Sequence, residues 1–259
     1  SDTTSASWSQ VATLVVLTTF SPMVMQSSSS LTPRSTRTTS SGARATTQQV
    51  SRSWIRLVSQ FANQKYTREQ IEETLRSKGY KYFTSDKGFD VNIVGVRNSA
   101  TGQKVTNAFD DTLTISYKEN GVWKFHSWPA TTDPGKKGVL EYHNAAGVAR
   151  LVEGQYRGSH TIRLHQGKYE ALKQKANVKV YRDANKDMNY DESKIQEGIF
   201  GINIHKAGAD STYVENWSEG CQVFKKSADF DAFLAICKKA ATLGGNSFTY
   251  TLIESKDIK

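Results

Sequence analysis

Cysteine is scarce in this chain, with two among 259 residues, Cys221 and Cys237. Two cysteines do not make a disulfide framework, and their contexts differ, so both are expected as thiols. No apolar run reaches the roughly 20 residues that a membrane-crossing helix needs; Val11–Met25 is apolar but short, and Pro22 interrupts it. There is no glycine-rich phosphate loop and no Gly-x-Ser-x-Gly elbow. His126 and His143 have no metal-ligand spacing with each other or with Cys221, which argues against zinc. The net charge is +9, but it is spread along the chain, and no basic stripe is interleaved with aromatics. Such a surplus suits solubility or a general attraction to polyanions and excludes nucleic acid as a specific partner.

What is present divides the chain unevenly. Serine and threonine fill 23 of the first 50 positions, and Gln26–Gln49 has almost no large apolar residue. A segment of this kind cannot offset the entropy of ordering, so residues 1–52 are expected as a disordered leader or a vector- or frame-derived extension. Val11–Met25 could serve as the apolar part of a signal, but no basic segment precedes it. Residues 53–82 read as helical. Trp54, Leu57, Val58 and Phe61 share one face, and Thr67 with Gln70 forms a capping box ahead of a helix that Gly79 stops. From 83 to 259 the pattern is mainly β. Strands are expected at Val91–Arg97, Leu113–Tyr117, Val122–Trp128, Val178–Arg182, Ile199–His205 and Phe248–Ile253, with Asn120-Gly121 as a hairpin turn. One late helix is expected, capped by Ser227, burying Phe230, Phe233, Leu234 and Cys237, with Lys238 and Lys239 near its negative end before Gly244-Gly245. Cys237 is thus a core thiol.

The chemistry concentrates in Gly201-Ile-Asn-Ile-His205 and Trp217-Ser-Glu-Gly-Cys221-Gln-Val-Phe. A thiol attacks carbonyls as thiolate and needs a neighbouring base. A histidine ending one strand and a cysteine opening the next can form that pair across a sheet. Gly220 permits a tight backbone turn, and adjacent amides can then face a developing oxyanion.

These residues resemble the L,D-transpeptidase (YkuD-like) catalytic domain, in which an Ile-His pair on a strand is followed by a loop and then Ser-His/Asn-Gly-Cys. Ile204-His205 stands for the first part and Ser218-Glu219-Gly220-Cys221 for the second. Thr131-Thr132-Asp133-Pro134-Gly135 is loosely similar to the family's Thr-Pro-x-Gly turn. The resemblance implies Cys221 as nucleophile, His205 as base, and the Gly220 and Cys221 amides near the oxyanion. It also implies a β-sandwich or sheet with a few peripheral helices, and the peptide stem of peptidoglycan as substrate. Glu219 replaces the usual His or Asn, and Val223 stands where an Arg is common. A phage-encoded peptidase for wall lysis therefore fits as well as a transpeptidase.

Around this pair, Ser218 joins the catalytic candidates, and Trp217, Glu219, His165 and Tyr156 are candidates for substrate contact. His165 could line the groove or orient the His–Cys pair. Asp183, Asn185, Asp187, Asn189 and Asp191 place oxygens at alternate positions, as a calcium loop does, although Met188 and Lys194 stand where Gly and Glu are wanted. An Asp/Asn-rich turn accounts for the same residues. The expected activity is cysteine-dependent acyl transfer or hydrolysis on wall peptides, extracytoplasmic or virion-associated, with no required cofactor and a possible structural calcium. The rival expectation is a non-enzymatic virion or cell-surface module in which Cys221 is merely packed.

Overall fold

Helix α1, Arg68–Ser77, starts where Thr67 and Gln70 exchange bonds: the Gln70 N–H donates to Thr67 Oγ1 at 3.2 Å, and the Thr67 N–H to Gln70 Oε1 at 3.0 Å. It ends because Gly79 takes φ +74°, which lets Tyr80 N–H reach back to the Leu75 carbonyl and Gly79 N–H to that of Arg76. Ile71 and Leu75 bury the apolar side of α1 against Tyr82, Val94, Val96 and Ile253. The computed structural model describes residues 64–85, 89–141, 144–191 and 194–259. The expected leader, the helix face Trp54–Phe61 and His143 lie outside those residues.

The strands are β1 (Asn92–Arg97), β2 (Asp111–Glu119), β3 (Val122–Thr131), β4 (Val148–Leu151), β5 (Gly154–His165), β6 (Tyr169–Gln174), β7 (Val178–Asp183), β8 (Gln196–Gly198), β9 (Ile204–Lys206), β10 (Gln222–Phe224) and β11 (Phe248–Glu254). A short helix α2 (Lys136–Glu141) follows β3, and α3 (Ser227–Gly244) precedes β11. Mainly β is therefore the class. The sandwich expectation gives way to a closed barrel in the order β1-β11-β5-β6-β9-β10-β3-β2, beside a three-stranded sheet β4-β7-β8. Closure depends on parallel pairing of β1 with β11 and antiparallel pairing of β1 with β2, so strands far apart in the chain complete the ring. The β2–β3 hairpin turns at Asn120 and Gly121, both at positive φ, as a tight two-residue turn requires.

Two local expectations need correction. The run Ile199–His205 is not one strand. Gly201 adopts φ +76°, and the buried Gln174 side chain accepts the Phe200 and Ile202 N–H groups at 3.1 and 2.9 Å, so only Ile204–Lys206 pairs. Ser227 does not cap α3: it is the first helical residue, behind Lys226, which supplies no side-chain cap. Nor do Lys238 and Lys239 serve the helix end, because α3 runs on to Gly244; they pair instead with Glu170 and Glu119. Phe230, Phe233, Leu234 and Cys237 are buried as expected, and they pack with Phe224, Trp128 and Tyr250 into the main core. Fully burying one such aromatic contributes about 2 to 3 kcal/mol.

Candidate active site

β9 and β10 run parallel, with Gln222 beside Ile204 and Val223 beside His205. This register sets Cys221, at the entry to β10, on the strand next to the one that carries His205. The backbone around the thiol is tightly held. Ser218, fully buried, donates its hydroxyl to the Cys221 carbonyl at 2.8 Å and accepts the Gly220 N–H at 3.2 Å. Gly220 sits at φ +114°, and a Cβ there would lie 2.3 Å from the Ala149 carbonyl oxygen. The turn Thr131–Gly135 braces the same loop from below: Val223 pairs with Thr131, and the Gly135 N–H donates to the Ser218 carbonyl at 2.9 Å.

Cys221 is partly exposed as a residue, and its Sγ donates to the Gly201 carbonyl at 3.3 Å. Burial of the sulfur pushes the thiol up to about 11; Glu219 adds to the rise, while the Asn203 backbone N–H and Lys173 oppose it. His205 is buried, and its Nδ1 donates to the Lys206 carbonyl at 2.9 Å. Because a carbonyl can only accept, the proton is on Nδ1 and Nε2 carries the free lone pair. Among the described residues nothing hydrogen-bonds that Nε2. Burial drops His205 to about 4, with the Lys206 carbonyl opposing and His165 reinforcing the drop. At neutral pH the pair is therefore an uncharged thiol and an uncharged imidazole.

Of the residues singled out from sequence, the fold brings His165 to this centre. Its ring stacks on His205 with centroids 4.5 Å apart and planes inclined by 20°. Ser218 and Gly220 hold the loop rather than touch the reacting atoms. The Gly220 N–H is committed to Ser218, so it does not face an oxyanion as the resemblance implied; the Cys221 N–H has no partner among the described residues. Trp217 and Glu219, in the loop before Cys221, are exposed. Tyr156 is not part of the centre. It lies at the other end of β5 from His165 and gives its hydroxyl to the Val152 carbonyl at 2.7 Å. His160 is a satisfied core residue, bonded to Ser159 and to the Ile202 carbonyl.

Tyr169 was not among the site residues singled out from sequence. It pairs with His165 across the β5–β6 hairpin, packs 5.5 Å from that ring, and its phenol is raised by burial and by Cys221. The signal was available in Gln166-Gly167, which turn the hairpin at φ +51° and +69° and so place His165 opposite Tyr169. Asn203, whose N–H faces the sulfur, acts through its backbone and leaves no side-chain signature.

The acidic loop after β7 is organised by its own bonds. Asp183 accepts the N–H groups of Asp187 and Met188, Asn185 that of Asp187, and Asp187 that of Asn189, while Asp191 accepts the Asn189 amide. The Asn185 and Asp187 bonds are Asx turns, and Met188 takes φ +66° at the position where a calcium loop has Gly.

An uncharged thiol has a direct consequence. Alkylation of Cys221 by iodoacetamide is expected to rise about tenfold per pH unit from about pH 7 to about pH 10, without a plateau. A plateau below about pH 8 would indicate a preformed thiolate–imidazolium pair. Cys237, buried and pushed well above its ordinary value, serves as the unreactive internal control. In comparisons with known proteins, no family profile matches the chain, and no curated protein matches it.

Proposed function

We propose that Cys221 and His205 carry out acyl transfer or hydrolysis on peptidoglycan stem peptides, in the manner of the L,D-transpeptidase-like domain that the motif resembles. The observation that carries this reading is the His205 ring. Its Nδ1 is tied to the Lys206 carbonyl, so its basic Nε2 is left unbonded on the strand beside Cys221.

In the proposed reaction Sγ turns from the Gly201 carbonyl and gives its proton to His205 Nε2 as it attacks an amide carbonyl. The Cys221 N–H is the backbone donor left for the oxyanion. Collapse breaks the C–N bond, and His205 returns the proton to the leaving amine, leaving a thioester on Cys221. An amine or a water then attacks, His205 takes its proton, and the thiol is restored. The amine gives transpeptidation and the water gives hydrolysis. No cofactor enters these steps, and a wall substrate implies action outside the cytoplasm or from a virion.

The test is mass spectrometry of wall muropeptides after incubation with the protein and with Cys221→Ala. Cross-linked or trimmed peptides are expected with the wild type and only background with the variant. Equal product from both would sink the proposal and return Cys221 to the role of a packed thiol.

A further inference from the structure

His165 is more than nine-tenths buried, stacks on His205 at 4.5 Å, and its Nδ1 is the one buried side-chain nitrogen or oxygen among the described residues with no hydrogen-bond partner. An unpartnered buried polar atom costs about 1 to 3 kcal/mol. If the position needed only a flat ring to pack on His205 and Tyr169, phenylalanine would fill it without that cost. The chain keeps an imidazole where the fold alone favours a phenyl.

We propose that His165 is a positioning residue for the base: its ring holds His205 in the orientation that ties Nδ1 to the Lys206 carbonyl, leaves Nε2 unbonded and keeps His205 uncharged. The inference rests on the cysteine–histidine chemistry proposed above. Two imidazoles stacked this closely cannot both carry a proton without strong repulsion. A proton on one therefore disfavours a proton on the other, and His205 stays available as a base at lower pH. The groups acting on the pair come from every neighbouring element. Tyr169 packs on His165 from β6, and the Lys206 carbonyl holds His205 Nδ1 from β9. Lys173 and Lys168 further disfavour charge on His165, after burial.

The test replaces His165 with Phe and follows the His205 ring by NMR in histidine-labelled protein, with the signal assigned from His205→Asn. The fold is expected to hold, with a melting temperature equal to or above that of the wild type. The His205 midpoint is expected to move upward by about half a pH unit or more, because burial is retained while the second ring charge is gone. The acid limb of kcat/KM on muropeptides should move up by the same interval, since it reports protonation of the base. An unchanged His205 midpoint would overturn the proposal and make His165 a packing residue. If His165→Phe does not fold, His165→Gln gives the same reading, for it too removes the ring charge. Absence of product from the wild type would defeat the peptidoglycan reading alone, because the NMR midpoint is read without any substrate.

Discussion

Gly220→Ala is expected to abolish activity and to destabilise the protein by about 3 kcal/mol or more. At φ +114° an L side chain is strained whatever the space around it, and here there is no space. The added methyl would meet the Ala149 carbonyl oxygen at 2.3 Å and the Ile202 side chain at 3.1 Å. Neither can retreat cheaply, because Ala149 is paired in β4 and Ile202 is buried in the main core. The loop would have to move, and with it the Ser218 bonds that fix Gly220 and the Cys221 carbonyl. A displacement of about 1 Å at a nucleophile costs on the order of a hundredfold in rate. Thermal unfolding and muropeptide turnover measured together test this. Wild-type turnover in Gly220→Ala would mean that the loop conformation does not matter to the chemistry.

Ser218→Ala makes a useful contrast within the same loop. It leaves the glycine conformation available but removes both hydroxyl bonds, so the buried Gly220 N–H loses its acceptor. The two substitutions separate backbone strain from lost hydrogen bonding at one site.

The elements that sequence showed clearly are those whose cause is local. The Thr67/Gln70 box and Gly79 delimit α1 as expected, and Asn120-Gly121 turns the β2–β3 hairpin, because caps and tight turns depend on a few neighbouring residues. His205 and Cys221 were visible for the same reason: each sits in a short run with a recognisable pattern. Barrel closure was not visible, since the parallel pairing of Ile93 with Tyr250 joins distant segments whose register no local pattern encodes. The break at Gly201 was hidden because its cause is a side chain from another strand, Gln174, which takes amides that a continuous strand would have paired. Tyr156 looked like a groove residue from its polar, aromatic neighbourhood. Its position at one end of β5, with His165 at the other, separates the two, and the length of that strand was not apparent from alternation alone.

Arg97→Met is expected to destabilise the protein by about 3 to 5 kcal/mol, the usual cost of breaking a buried ion network by removing one partner. Arg97 is fully buried and uses its whole guanidinium. Nε contacts Asp133 at 3.0 Å and Thr132 Oγ1 at 3.0 Å, Nη1 reaches Glu153 and the Leu151 carbonyl at 2.8 Å each, and Nη2 reaches the Thr132 carbonyl at 2.9 Å. Asp133 would retain Arg150 at 2.7 Å, but Glu153 would lose its buried partner and the Leu151 and Thr132 carbonyls would each lose a donor. Asp111 shares the network through Thr132, and its carboxyl, already pushed up by burial and by Asp133, would lose the cation that favours its charged form. A melting temperature lower by about 10 °C or more is the expected reading. The consequence extends to the thiol, because the strip that Arg97 anchors is the one beneath the Cys221 loop. Thr131 pairs with Val223, the Thr132 carbonyl faces the Gln222 amide at 3.5 Å, and Gly135 holds the Ser218 carbonyl. Loosening it should therefore raise iodoacetamide labelling of Cys221 at neutral pH even at temperatures where the barrel remains folded. Arg97→Lys discriminates charge from geometry: it keeps the cation but cannot make the forked contacts, so it should recover only part of the loss. Full stability in Arg97→Met, with unchanged thiol labelling, would show that the network contributes neither to the fold nor to the placement of the nucleophile.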